Sequence, residues 1–170
     1  MTPADVKVQE IPTKSVSRDE LVAGIRQRGW YITDKAAEVI AASRFNEARP
    51  DGHVKLALIR GDMFPDGTTY RSLTETLDGC GLMRPRLQSS LQIPYSLQPQ
   101  ILQPLEFQKI IIFNTPVYLP RPSKPLKDRP YVLVLDLDVY APHLHAWRAN
   151  SNRLIDRSVG YIVFAPDNAS

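Results

Sequence analysis

One cysteine, Cys80, stands in a chain of 170 residues. That excludes an internal disulfide framework and any cysteine-rich zinc site. No apolar run reaches the ~18 residues that a membrane-spanning helix needs. The opening MTPADVKVQE carries acids and no apolar stretch, so it reads neither as a secretory signal nor as a basic transit peptide. A cytoplasmic protein with no membrane contact is the expectation. Also missing are a glycine-rich phosphate loop of P-loop or dinucleotide type and a Gly-x-Ser-x-Gly nucleophile elbow. No nucleotide-enzyme or hydrolase signature replaces them, and no cofactor is expected.

Proline, by contrast, is abundant. The chain has 15, and most lie between residues 85 and 130, which predicts a punctuated chain there rather than long helices. Net charge is +3 and unevenly spread. Residues 1–78 hold 11 cations and 12 anions, a balance of −1; residues 79–170 hold 10 and 6, a balance of +4. A skew of this size permits an acidic partner without requiring one.

Residues 1–16 have no periodicity, few large apolar groups and two prolines, and are read as a flexible N-terminal tail. Order is expected over 17–170, as one domain. Ser17 followed by Glu20 has the capping-box spacing; Leu21, Val22 and Ile25 then form a helical stripe that Gly29 stops. Thr33 or Asp34 opens a second helix, with Ala36, Val39 and Ile40 at helical spacing. After a Pro-Asp-Gly turn, VKLALIR alternates as a strand with Val54, Leu56 and Leu58 on its apolar face. Tyr70, Leu73 and Leu77 predict a third, short helix. RPRLQSSLQ adds one or two helical turns, and residues 92–108 read as an ordered, packed connection. KIIIFNTPVYL, YVLVLDLDV and VGYIVFA follow as strands, with HLHAWRA as a fourth. Two N-terminal helices, a strand and short helix, and then successive strands with short connections describe an α+β domain with a mainly antiparallel sheet.

The stretch LDLDVYAPHLHAW gathers most of the metal-ligating chemistry. Strand alternation places Asp136 and Asp138 on the face of Val132 and Val134, opposite Tyr131, Leu133, Leu135 and Leu137. His143 and His145, two residues apart and so roughly 7 Å between Cα atoms on a strand, can both reach one metal, and a carboxylate would complete a mixed site. The competing account is a strand leaving its core for water, with an interfacial histidine pair. Cys80 lies after a helix, where the dipole disfavours a thiolate, and reads as a small turn residue. The second helix offers Lys35 and Arg44 against Asp34, Glu38 and Glu47, a poor recognition helix for DNA.

PRPSKPLKDRP is the other candidate. Arg121, Lys124, Lys127 and Arg129 alternate with prolines that hold the backbone extended, and connections of this length without secondary structure are uncommon unless functional or disordered. The first reading is therefore a non-enzymatic binding or assembly protein that meets another protein through this basic, proline-rich loop. Its alternative is a metal-dependent enzyme using Asp136, Asp138, His143 and His145. The second alternative is a nucleic-acid-binding protein relying on the basic C-terminal half.

Overall fold

The computed structural model describes residues 7–43, 45, 52–102, 107–119, 129–138 and 140–165, and the backbone alone of Lys7 and Arg129. Within them a seven-stranded mixed sheet runs in the order β1-β3-β7-β4-β5-β6-β2. The strands are β1 (Lys7–Thr13), β2 (Tyr31–Ile32), β3 (Gly52–Arg60), β4 (Lys109–Leu119), β5 (Arg129–Asp136), β6 (His143–Arg148) and β7 (Gly160–Phe164). Four neighbouring pairs are antiparallel; β4 with β7 and β6 with β2 are parallel. The α+β class and the mainly antiparallel sheet fit. The order of elements needs correction.

The helices α1 (Arg18–Gln27), α2 (Asp34–Ala42) and α3 (Tyr70–Gly79) start where local chemistry says they should. The Ser17 hydroxyl accepts from the Glu20 amide, and the Glu20 carboxylate accepts from the Ser17 amide at 2.8 Å. Thr69 and Ser72 cap α3 in the same reciprocal manner, whereas α2 has only the one-way bond from the Ala36 amide to the Thr33 hydroxyl. Each cap satisfies amides that the first turn leaves without intrahelical partners. Gly29 closes the α1 turn at φ +90°, a conformation open to glycine.

Among the described residues the first element is a strand, not a helix. Residues 7–13 form β1, an edge strand paired antiparallel with β3. Its sequence, KVQEIPT, offers one large buried group, Ile11, so periodicity does not announce it. What holds it is backbone bonding from a distance. The Gln92 side chain donates to the Lys14 carbonyl and accepts from the Lys14 amide, and Ser96 Oγ donates to the Pro12 carbonyl at 2.9 Å. Pro12 fits because an edge strand has amides that need no partner strand.

Gln92 and Ser96 belong to α4 (Leu87–Ser96), which is followed by the short α5 (Pro99–Leu102). The helix runs through part of the segment expected to be a connection. Pro94 is tolerated near its end, where a missing amide removes only one of the last helical bonds.

Both faces of the sheet are covered. On one, Leu21 and Ile25 of α1, Val39 and Ile40 of α2 and Leu91 of α4 pack on Leu56, Ile110, Ile112, Leu133, Leu135 and Ile162. On the other, Leu73 and Leu77 of α3 cover Ala57, Ile59, Ile111, Val134, Tyr161 and Val163. β3 is thus buried on both sides rather than on one, since Ala57 and Ile59 are as inaccessible as Leu56. Gly61, in a single 3₁₀ turn after β3 (Gly61–Met63), sits where an added Cβ would meet the Asp156 carbonyl at 2.6 Å. Only glycine lets these two backbones approach so closely.

Candidate partner-binding site

β4 and β5 form a long antiparallel pair, and their connection, residues 120–128, carries Arg121, Lys124 and Lys127. Those three residues lie outside the described part of the chain, as does the side chain of Arg129. The flanks are described: Tyr118 pairs with Pro130 and Leu119 with Arg129. The basic segment is therefore rooted at one end of the sheet.

At that end the register of β4 against β5 shifts between Ile112 and Val117. The residues within the shift are Phe113-Asn114-Thr115-Pro116. An irregular stretch in a buried strand strands polar groups, and Asn114 resolves this. Its side chain is 1 % exposed; Oδ1 accepts from the Leu133 amide at 2.9 Å and Nδ2 donates to the Thr115 carbonyl at 2.7 Å. The Thr115 amide donates to the Pro85 carbonyl at 2.8 Å. Bulges of this kind re-aim side chains and end ladder pairing.

Beside the bulge, against α3, lies a cleft of about 340 Å³. Phe113 and Val132 form its floor, both buried. Tyr70 lines it and stacks on Phe113 with ring centroids 5.5 Å apart. Burial holds the Tyr70 phenol above its ordinary pKa, so it stays neutral. Tyr118 and Pro130 line the side from which the basic connection springs, and Tyr118 is 58 % exposed. Arg71, Glu75 and Arg84 also line it. None of the three forms an ion pair among the described residues.

The N-terminus of α3 does not serve as an anion site. The Tyr70 and Arg71 amides already donate to the Arg153 and Ser151 carbonyls, each at 3.0 Å. The Ser72 amide donates to the Thr69 hydroxyl. Positive charge at the cleft thus comes from side chains.

The aspartate-histidine stretch occupies the other end of β5 and β6, on the same sheet face. Asp136 stands opposite His143, and Val134 opposite His145. Asp136 approaches His145 Nε2 at 3.9 Å and Lys109 Nζ at 3.7 Å. His143 and His145 stack on each other at 5.3 Å, and Tyr31 packs edge-on against His143. Asp138 leaves the group to accept from the Tyr140 amide at 2.9 Å. The four sequence candidates therefore do not converge: three are neighbours and the fourth closes its own turn. Among the described residues no group of three His, Cys, Asp or Glu is placed to hold a metal ion. His145 Nε2 lies toward Asp136, and Asp138 is taken by the Tyr140 amide, so no third donor joins them.

His145 loses some of its basicity to this setting. Desolvation lowers its pKa first; Asp136 opposes that, while His143 and Lys109 add to it. The ring is neutral at pH 7. Its NMR titration midpoint should fall below the ordinary value of ~6.5, and Asp136→Asn should lower it further by removing the one stabilising charge. A midpoint that rises in that variant would contradict the placement of Asp136 beside the ring.

Cys80 is exposed and forms the C-cap of α3, the turn position expected of it. Among the described residues no helix is long and apolar enough to cross a membrane. Sequence reading missed the cleft altogether. Its signal was Asn114-Thr115-Pro116 inside an otherwise apolar strand, since proline in a strand interior marks a bulge or an edge. Arg71 and Arg84 carried no signal, because nothing local distinguishes a cleft arginine from a solvated one. Comparisons of the chain with protein-family models, with curated proteins and with solved structures find no match.

Proposed function

We propose that this protein is a non-enzymatic binding or assembly protein, and that it engages an acidic protein partner at the β4–β5 end of the sheet. The observation that supports the reading most is a juxtaposition. A cleft with an aromatic floor opens beside Tyr118 and Pro130, the residues from which the basic proline-rich connection leaves and to which it returns. Within Pro120–Pro130, four cations, Arg121, Lys124, Lys127 and Arg129, face one anion, Asp128. Arg71 and Arg84 add two guanidiniums against Glu75. Complementary charge steers encounter and suppresses wrong partners, while apolar contact supplies most of the affinity.

The test compares the protein with a variant carrying Arg121→Ser, Lys124→Ser, Lys127→Ser and Arg129→Ser. A fluorescent seven-residue peptide rich in Glu and Asp serves as one probe, and a twelve-nucleotide single-stranded DNA as the other. The peptide should bind the native protein, weaken as salt rises, and bind the variant at least tenfold less, with circular dichroism unchanged. Equal binding to both proteins removes the loop from the account. Binding of the DNA alone, with a steep salt dependence, replaces this reading with nucleic-acid recognition.

A further inference from the structure

We propose that the cleft between α3 and the β4 bulge is an anchor pocket for one large apolar side chain of an acidic peptide segment. The carboxylates flanking that side chain would be received by Arg71 and Arg84. This rests on the binding reading above and adds the chemistry of the segment recognised.

Size comes first. At about 340 Å³ the cleft lies at the small end of the ~300–1,000 Å³ typical of ligand sites. It takes one ring or one branched side chain with part of a neighbouring residue, and not an extended ligand. The lining then decides what that group is. Phe113, Val132, Pro116 and Pro130 offer no hydrogen bonds from their side chains, so the part of the cleft they line favours an apolar group, while the Tyr70, Thr74 and Ser151 hydroxyls leave polar contacts for its neighbours in the segment. Tyr70 lies nearly parallel to Phe113, at an interplanar angle of 29°. Both rings are held in place, Phe113 by the core and each by edge contact with Tyr161. A ring or Leu-sized group from outside therefore meets a rigid aromatic surface, at little entropic cost to the protein.

Charge gives the context of the anchor. Arg71 and Arg84 flank the apolar floor and make no ion pair among the described residues. A guanidinium fork receives a carboxylate bidentately. Glu75 lies one turn beyond Arg71 on α3 and lines the same cleft. The α3 amides that would otherwise favour phosphate are taken by the Ser151 and Arg153 carbonyls. An acidic peptide fits these features better than a nucleic-acid strand does. Tyr118, exposed at the cleft edge, is the natural lid for the seated side chain.

Two synthetic peptides separate this proposal from the broader reading: Glu-Glu-Asp-Trp-Asp-Glu-Glu and the same sequence with Gly at the centre. Binding is measured by anisotropy or calorimetry on the full chain, on Tyr118→Ser, on Arg71→Ser/Arg84→Ser and on the four-site loop variant. The native protein should bind the Trp peptide about tenfold more tightly than the Gly peptide, equivalent to 1.4 kcal/mol. Tyr118→Ser, at an exposed position, should erase that preference while leaving the Gly peptide unaffected. Arg71→Ser/Arg84→Ser should weaken both peptides and flatten the salt dependence. The loop variant should weaken both while keeping their ratio. Equal affinity for the two peptides, or a ratio that survives Tyr118→Ser, overturns the anchor pocket and leaves loop-mediated binding standing. Failure of both peptides to bind overturns both readings.

Discussion

Trp30→Ala should lower folding stability by about 3–5 kcal/mol, the range for truncating a buried aromatic side chain to alanine. Trp30 is 2 % exposed, and its indole N–H donates to the Leu97 carbonyl at 3.0 Å. It sits in the turn after α1 and reaches the residue that ends α4, so it clamps two helices that are remote in sequence and adjacent in space. The substitution opens a cavity under α1 and leaves the Leu97 carbonyl without its donor. Against a typical domain stability of ~5–15 kcal/mol, this is a large fraction. Urea denaturation followed by circular dichroism gives the number. Trp30→Phe separates the terms, because it fills most of the cavity and loses only the hydrogen bond, worth about 1 kcal/mol. A Trp30→Ala loss below about 1 kcal/mol would mean that the turn is not the clamp described.

Asn114→Leu should have the second largest effect, and should act on the cleft as well as on the fold. Leucine is similar in size but neither accepts from the Leu133 amide nor donates to the Thr115 carbonyl. A buried donor left unpaired costs about 1–3 kcal/mol, and the lost bond to Thr115 adds to that. The consequence is local before it is global. The Leu133 amide should exchange with deuterium much faster in the variant, while Leu56, on β3, which is not paired with β4, keeps its protection. The wall of the cleft is the bulge itself, so a variant that still folds should also bind the Trp peptide more weakly. Unchanged protection at Leu133 would show that the side chain does not carry the ladder across the irregularity.

These two residues also mark where sequence reading reached and where it stopped. The cap at Ser17, and the start of α2 at Thr33 or Asp34, were legible because donor and acceptor lie three residues apart, and the choice is made by the segment alone; the Thr69 cap has the same local geometry but was not read. The stripes of α1, α2 and α3 were legible for the same reason. The faces of β5 followed from alternation: Tyr131, Leu133 and Leu135 lie in one core and Val132 and Val134 in the other. The strand β1 was not legible, because its partners are β3 and the side chains of Gln92 and Ser96, remote in sequence. Nor was the full length of α4, since its buried Ser89, Ser90 and Gln92 break the apolar pattern that announces a helix.

The candidate sites divide along the same line. Spacing alone made Asp136, Asp138, His143 and His145 the candidates for a shared metal. Tertiary pairing stacked the two rings, kept Asp136 between His145 and Lys109, and turned Asp138 to the Tyr140 amide. The basic proline-rich segment was evident from composition, but the cleft at its root was not. That cleft exists only because a bulge in β4 meets α3 and brings Phe113, Tyr70 and Arg71 to one place. By itself, then, the sequence determined the helix starts, the strand faces and the distribution of charge, all of which depend on neighbours within a turn or a pleat. Register, edges and the cleft were decided by the tertiary structure, because each is a contact between residues whose separation along the chain carries no local signal.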